Sequence, residues 1–245
     1  MNKEQLISAE KLSAFGYAAL EAVGVVKRFS HPVIDGLVET SLRGVDSHGV
    51  RLIPHYARAA HIGRIKKNPV FSFRQTSPAT GVLDADHGFG IAAGVAAMDR
   101  AVDMAREAGV GAVSVKHSSH FGAAAIFGLR AARKNMMGMV FTDVDSLVFP
   151  YGAKKTYFGT NPICFAAPIE GEEPFCLDMA TSRVPLNKIL AYRAAKIPLV
   201  AGWATDAQGR ATTDPDKAAS PMPIGDYKGY GLAIMVSILS SILVE

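Results

Sequence analysis

After Pro69, strand-like and helix-like segments alternate along the chain, and few fold classes accommodate that order. Residues 70–74 and 81–84 alternate apolar with polar side chains, as half-buried strands do. Residues 91–108 have apolar side chains at helical spacing, and residues 110–115 again follow the pattern of a strand. Strands and helices in alternation predict an α/β fold.

The first sixty residues follow a different pattern, in which apolar side chains recur at helical spacing. They predict helices over about residues 6–23, 31–45 and 50–62. We therefore expect a helical N-terminal segment over residues 1–68, followed by an α/β region over residues 69–245. A length of 245 residues suffices for a core that needs no metal or disulfide support.

The second half of the chain continues the alternation. It predicts strands over residues 136–142, 163–167 and 175–179, helices over 122–134 and 184–195, a polar loop over 202–223, and a final helix from about residue 228. Residues 230–244 of that last helix are apolar almost all round, and such a helix needs cover on most sides. Another subunit or a continuation of the chain would provide it.

Charge and cysteine content exclude several classes of protein. The formal net charge is only +4, from 26 basic and 22 acidic residues that are scattered, so we expect no nucleic acid partner. The apolar stretch 231–244 is too short to span a membrane, and residues 1–5 lack the apolar core of a signal peptide. The two cysteines lack metal-binding spacing and indicate buried thiols. We therefore predict a cytoplasmic protein without a metal site.

Residues 43–56 contain the first group of side chains suited to chemistry. If a helix covers this segment, His48, Arg51 and His55 lie on one face, at positions i, i+3 and i+7. A guanidinium beside an imidazole can hold a carboxylate through two parallel N–H bonds. The alternative is a polar helix start with Ser47 as its cap.

Residues 116–122 lie where a predicted strand ends and a helix begins, the edge at which α/β proteins bind ligands. His120 there can act as a general acid or base near neutral pH, or can merely hydrogen-bond the turn. The turns 158–162 and 178–182 and the lysine-containing segment 225–231 could bind phosphate or ribose, although turn chemistry alone explains them as well.

A G-x-G-x-x-A pattern at Gly88, Gly90 and Ala93 is similar to a dinucleotide-binding fingerprint. Asp84 and Asp86 precede the glycines and would repel a pyrophosphate, and the next strand ends without an acid for the ribose. We therefore do not expect a Rossmann fold.

Five segments in this order resemble the type 2 malate/L-lactate dehydrogenases: RGVDSHG (43–49), SHFGA (119–123), FGTNP (158–162), DMATS (178–182) and KGYG (228–231). That family includes ureidoglycolate and sulfolactate dehydrogenases and 2,3-diketo-L-gulonate reductase. The resemblance implies a non-Rossmann, sulfolactate-dehydrogenase-like α/β fold with a mixed sheet, in a homodimer. It also implies an enzyme that uses NAD or NADP to move a hydride to or from C2 of a small 2-oxo or 2-hydroxy acid, such as malate, lactate or ureidoglycolate.

The resemblance further implies roles for individual residues. By position, His120 and His48 match catalytic histidines of the family, and Ser47 and Tyr56 match its substrate pocket. We add Arg51 as the anchor for the substrate carboxylate. The matching cofactor-binding positions are Thr160, Asn161, Asp178, Met179, Ala180, Thr181 and Lys228.

Several alternatives stay open. Family members continue past the KGYG segment, so we expect a C-terminally shortened chain that lacks part of the family fold. A cyclic imino acid reductase of the same family, or an inactive binding or interaction module, is then the alternative to a dehydrogenase. The choice between NAD and NADP depends on whether Arg183 meets a 2′-phosphate or is an ordinary surface arginine.

Overall fold

The computed structural model describes residues 6–150, 153 and 155–244. Its helices are α1 (Ala9–Ala22), α2 (Lys27–Leu42), α3 (Ile53–His61), α4 (Gly90–Ala108), α5 (Ala125–Ala132), α6 (Leu186–Ala195) and α7 (Tyr227–Ser237). Its strands are β1 (Ser72–Ser77), β2 (Thr80–Asp84), β3 (Ala112–Lys116), β4 (Gly138–Phe141), β5 (Ile163–Ala167), β6 (Phe175–Met179), β7 (Ala204–Thr205), β8 (Ala211–Thr212) and β9 (Ser220–Pro221). No helix in the described part of the chain is long and apolar enough to cross a membrane. The signal-peptide prediction for residues 1–5 lies outside the described residues.

The chain divides into two compact units. Unit 1 comprises Met1–Gly138 and Ala166–Cys176, and unit 2 comprises Met139–Phe165 and Leu177–Glu245. The chain therefore passes from one unit to the other three times. The domain division expected at residue 69 stays a prediction.

The first two helices of unit 1 pack closely. α1 begins after Ser8, whose hydroxyl accepts a hydrogen bond from a main-chain amide of the first turn. Gly16 lets α2 approach, because a Cβ at Gly16 would lie 2.8 Å from the side chain of Ile34. α2 begins earlier than predicted and continues through Pro32. Its first turn is held by Phe29, which is almost completely buried.

Strands β1, β2 and β3 form the sheet of unit 1 in that order. β1 pairs antiparallel with β2, and β2 pairs parallel with β3, so the sheet is mixed. Helix α4 connects the two parallel strands, which need such a crossover. Leu83 and Ala85 pack with Ala93 and Ala97 of α4 in one buried cluster, where small side chains let the helix lie against the strands. The predicted α/β fold with a helical N-terminal segment and a mixed sheet is confirmed.

Strands β4, β5 and β6 form a second sheet, and the predictions for β5 and β6 match the observed bounds. Unit 2 also contains a small antiparallel sheet with the order β8-β7-β9, where the sequence analysis expected only a polar loop. Each of these strands has 2 residues, too few for alternation to be visible. The buried cluster of unit 2 consists of Val184, Ile189, Leu199, Ala204 and Ala218.

The last helix is not the continuous α-helix that was predicted. α7 changes at Ser237 into a π-helical turn, Ile238–Ile242. Ser237 and Ser241, on either side of that change, donate hydrogen bonds to the carboxylate of Asp143 at 3.0 and 2.7 Å. The amide of Asn161 donates to a main-chain carbonyl of α7 and to the Ser237 hydroxyl, each at 3.0 Å. Polar side chains, of which Asn161 and Ser237 are buried, thus fix one side of an otherwise apolar helix.

Candidate active site

Four ring side chains meet in unit 1. The phenol oxygen of Tyr56 lies 2.7 Å from Nδ1 of His120. The ring centroids of His48 and His55 lie 5.9 and 6.3 Å from that of His120. The Ser47 hydroxyl lies 2.8 Å from Nδ1 of His48. The structure therefore brings both predicted catalytic histidines together with the predicted substrate residues Ser47 and Tyr56.

One assignment of protons satisfies both contacts between Tyr56 and His120. The phenol oxygen is 2.7 Å from Nδ1 and 3.2 Å from the main-chain carbonyl oxygen of His120. Because a carbonyl only accepts, the phenol donates to it and accepts from Nδ1–H. This assignment leaves the lone pair of Nε2 for a ligand. Tyr56 is completely buried, and burial raises the pKa of its phenol far above the ordinary value, which keeps it protonated.

The imidazole of His120 packs against these rings, although the residue as a whole is exposed to solvent. Burial of the ring, and then repulsion from His48 and His55, lowers the pKa of His120 to about 4. The free site therefore holds a neutral imidazole at pH 7. A carboxylate bound beside the ring would favour the protonated form and raise this pKa.

Two 3₁₀ turns, Asp46–His48 and Val50–Leu52, precede helix α3. α3 has Pro54 in its first turn, a position that proline favours because its missing N–H needs no partner there. His48 and Arg51 consequently lie on the 3₁₀ turns, and the prediction that they share one α-helical face is wrong. Spacing rules for an α-helix do not apply across these turns.

The side chain of Arg51 is exposed, and no hydrogen bond or ion pair joins it to another described residue. Its guanidinium therefore has donors to spare for an anion. Among the described residues, no three histidine, cysteine or acidic side chains are placed to hold a metal ion, the imidazole cluster included.

The loop that contains His120 is attached to the N-terminus of α4. The Ser119 hydroxyl donates to the carbonyl of Gly88 and accepts from the amide of Gly90, both at 3.0 Å. A Cβ on Gly90 would lie 2.1 Å from the carbonyl oxygen of Ser119. The G-x-G pattern thus makes room for the His120 loop. No role was expected for Ser119. The signal that could have found it was the close spacing of Gly88 and Gly90, because such glycines often mark the close approach of another stretch of main chain.

Three predicted cofactor-binding segments meet in unit 2. The amide and hydroxyl of Thr181 both donate to the carbonyl of Thr160, at 2.8 and 3.0 Å. The amide of Ile224 donates to the Thr181 carbonyl at 2.9 Å. Gly229 in α7 packs against the same carbonyl, because a Cβ there would lie 2.5 Å from it. Lys228, in the first turn of α7, is exposed beside this junction.

The other predicted cofactor residues differ in exposure. At the end of β6, Asp178 is exposed, and Met179 and Ala180 are half-buried. Asn161 is completely buried, donates to α7 and accepts from the Val144 amide at 3.3 Å. A nucleotide contact from the Asn161 side chain would have to break these bonds.

Arg183 is already engaged within unit 2. Its guanidinium lies 2.9 Å from the Asp226 carboxylate and 3.4 Å from the carbonyl of Pro223. Asp226 precedes α7 with a left-handed backbone, at φ 55°. Arg183 is therefore an exposed arginine that is paired within unit 2, and whether it meets a 2′-phosphate stays a prediction.

Comparison with known proteins identifies the class. Residues 7–245 match the family described as malate/L-lactate dehydrogenase. The malate dehydrogenase of Pyrococcus abyssi is 37% identical over 97% of this chain and 68% of its own length. The (2R)-3-sulfolactate dehydrogenase (NADP(+)) of Chromohalobacter salexigens is 36% identical over 97% of this chain and 72% of its own. The chain thus spans about 70% of the length of these relatives.

Solved structures agree with this assignment. The Δ1-piperideine-2-carboxylate reductase of Pseudomonas syringae has a TM-score of 0.93 at 28% identity, covering 98% of this chain and 74% of that one. Matching relatives include both NADP- and NAD-dependent enzymes. The class is therefore an NAD(P)-dependent oxidoreductase of the 2-hydroxy acid type. The chain belongs to the malate/L-lactate dehydrogenase family, and the resemblance found in the sequence is confirmed.

Proposed function

We propose that this chain interconverts a small 2-hydroxy acid and the matching 2-oxo acid, with His120 as the acid/base residue. The observation that supports this proposal is the contact of Tyr56 with both Nδ1 and the main-chain oxygen of His120, at 2.7 and 3.2 Å. The contact fixes the tautomer in which Nε2 has a free lone pair. A general base needs that lone pair, and a general acid needs a proton at the same atom.

His120 moves the proton at the oxygen on C2. In the oxidative direction, neutral Nε2 accepts the hydroxyl proton, and in the reductive direction protonated Nε2 donates it to the carbonyl oxygen. A bound nicotinamide supplies or accepts the hydride at C2. With a pKa of about 4, the imidazole is unprotonated but weakly basic in the free site. A substrate carboxylate bound beside it raises that pKa and so makes it a stronger base in the complex.

The other residues near His120 hold the substrate. Arg51, whose guanidinium has no partner among the described residues, anchors the carboxylate. His48 is the second catalytic histidine, and Ser47 orients it through the 2.8 Å contact with its Nδ1. His55 contributes to the low pKa of His120.

We also propose that unit 2 binds the dinucleotide. The exposed ammonium of Lys228 would hold the pyrophosphate. The turn joined by the Thr181–Thr160 hydrogen bond, with Asp178, Met179 and Ala180, would hold the rest of the nucleotide. The buried amide of Asn161 holds the neighbouring chain against α7 through its two hydrogen bonds. The Asp226 carboxylate compensates the charge of Arg183, which favours NAD over NADP because a 2′-phosphate would meet a paired guanidinium.

A spectrophotometric panel tests the proposal. NADH and NADPH oxidation is followed with pyruvate, oxaloacetate, 3-sulfopyruvate and a cyclic imino acid, using wild-type protein and His120→Gln. We expect turnover with at least one acyclic 2-oxo acid and a loss of about 10²- to 10⁴-fold in kcat for the variant. Turnover of the cyclic imino acid alone would support the alternative reductase function. No turnover with any compound would support a binding module.

The remaining proposals concern the whole protein. We propose a homodimer, which analytical ultracentrifugation would test. We propose that the protein works in the cytoplasm, because a chain of 245 residues with only two cysteines is typical of a reducing compartment.

A further inference from the structure

A histidine–carboxylate contact lies three residues before His120, and the reaction as proposed does not use it. Nδ1 of His117 lies 2.9 Å from Oδ2 of Asp84. The other carboxylate oxygen of Asp84 accepts the amide of Asp86 at 2.9 Å. Both bonds favour the charged carboxylate and lower the pKa of Asp84. The ionised carboxylate of Asp84 therefore links Asp86 with His117.

These contacts lie at the paired ends of two parallel strands. Asp84 ends β2 opposite Lys116, which ends β3. Directly beyond, the amide of His87 donates to the carbonyl of His117 at 2.6 Å. The two imidazole rings lie 5.1 Å apart, centroid to centroid. The chain thus turns away from β3 at His117, and the next residues form the loop that contains His120.

The backbone at this turn is unusual. His117 has φ 49°, and across the strand pair Asp86 and His87 have φ 47° and 58°. Non-glycine residues are uncommon in this left-handed region. Histidine adopts it more often than most, and still needs compensating contacts there. The hydrogen bond to Asp84 and the packing against the tilted ring of His87 provide them.

We propose that Asp84 and His117 are positioning residues for His120: their hydrogen bond holds the left-handed turn from which the loop brings the His120 ring to Tyr56. Ser119, two residues after His117, joins the same loop to the start of α4 through its hydrogen bonds with Gly88 and Gly90. The proposal rests on the function assigned to His120 above, and it assigns to Asp84 and His117 no contact with substrate.

Three substitutions at one position separate the hydrogen bond from the backbone. His117→Asn tolerates the left-handed conformation and keeps an N–H donor for Asp84. His117→Gly keeps the conformation and loses the donor, and His117→Ala loses both. Asn135→Ala is the matched control, because Asn135 also has a left-handed backbone, φ 60°, but follows α5 and is not part of the loop between β3 and α5.

The first measurement is steady-state kinetics. We expect His117→Asn to keep most of the wild-type kcat. In His117→Gly kcat should fall about 10-fold and in His117→Ala about 10- to 100-fold, because a small misplacement of a reacting group costs that much. KM for the dinucleotide should not change in any of the three. Asn135→Ala lowers the melting temperature and leaves kcat unchanged. If His117→Ala does not fold, His117→Gly, which relieves the backbone, still gives the test.

The second measurement does not depend on activity. The His120 imidazole is titrated by NMR in ¹⁵N-histidine-labelled protein, with its signal assigned through His120→Gln. In wild type and His117→Asn we expect a pKa near 4, set by the packing of the ring with His48, His55 and Tyr56. In His117→Gly and His117→Ala it rises toward the ordinary value of 6.5 as the ring leaves its contacts.

The two measurements distinguish failure of this inference from failure of the proposed function. If wild type shows no turnover, the proposed function fails, and the titration still decides whether His117 positions His120. Wild-type kcat, pH profile and His120 titration in both His117→Gly and His117→Ala would overturn the inference.

Discussion

Replacing Tyr56 with phenylalanine removes one oxygen from the completely buried side chain that contacts His120. The variant keeps the ring and its packing against Phe89, whose centroid lies 6.2 Å away, so no large cavity forms. It loses the hydrogen bonds of 2.7 and 3.2 Å to Nδ1 and to the main-chain oxygen of His120. Each such bond contributes about 1 kcal/mol net, so the free energy of unfolding should fall by about 1–2 kcal/mol.

The same change acts on catalysis through the tautomer of His120. Without the phenol, Nδ1–H has lost its acceptor, and the proton distributes between the two ring nitrogens. A loss of about 1–2 kcal/mol lowers the ratio of the reactive tautomer to the other about 5- to 30-fold. The kcat should therefore fall by about 2-fold if the two tautomers become equally populated, and by up to about 30-fold if the reactive one becomes the minor form. KM for the dinucleotide should not change, because no residue of unit 2 is altered.

The assay is steady-state oxidation of NADH or NADPH with the best 2-oxo acid, alongside thermal unfolding of the same samples. Tyr192→Phe is the control, since Tyr192 packs edge-on against Trp203 in unit 2 at a centroid distance of 5.2 Å. Its kcat should equal that of wild type. A Tyr56→Phe enzyme with wild-type kcat at every pH would refute the argument that this phenol sets the tautomer.

Four further outcomes are expected. Arg51→Lys should raise KM for the acid about 10-fold or more with little change in kcat, since lysine cannot form two parallel bonds; an unchanged KM would exclude the anchor role. Gly90→Ala should destabilise unit 1 by at least ~2 kcal/mol, because its Cβ would lie 2.1 Å from the Ser119 carbonyl; equal melting curves would contradict this. Asn161→Ala should cost about 2–3 kcal/mol in urea unfolding, as it leaves buried partners in α7 unpaired. Between pH 6.5 and about 4, His120 binds a proton in the unfolded chain but not in the folded one. The free energy of unfolding should therefore fall with acid by roughly 1–2 kcal/mol, a value reduced for solvent screening of this exposed residue, and His120→Gln should lack this pH dependence.

Elements with a long apolar period could be predicted from the sequence, and elements that depend on distant contacts could not. The α4 prediction missed one residue at its start, and β5 and β6 were predicted at their observed bounds. The start of α2 was missed because its burial of Phe29 outweighs the cost of Pro32 within the helix. The π-helical turn after α7 depends on Asp143, far away in the sequence, and no local pattern indicates it.

The candidate active site could likewise be predicted only in part. The family resemblance, carried over by position, was enough to select His48, Tyr56 and His120. Their mutual geometry was not predictable, since Tyr56 and His120 are 64 positions apart and meet only when α3 packs beside the β3–α5 loop. The α-helical spacing assumed for Arg51 failed because two 3₁₀ turns precede α3.

The three passages of the chain between units have a consequence for synthesis. Unit 1 includes residues 166–176, which follow the first stretch of unit 2 in the sequence. On the ribosome, unit 1 cannot be complete until residue 176 has emerged, and by then residues 139–165 are already outside. Neither unit can be obtained by one truncation. To produce unit 1 alone, residues 139–165 must be replaced by a short linker between Gly138 and Ala166, and the chain must end at Cys176.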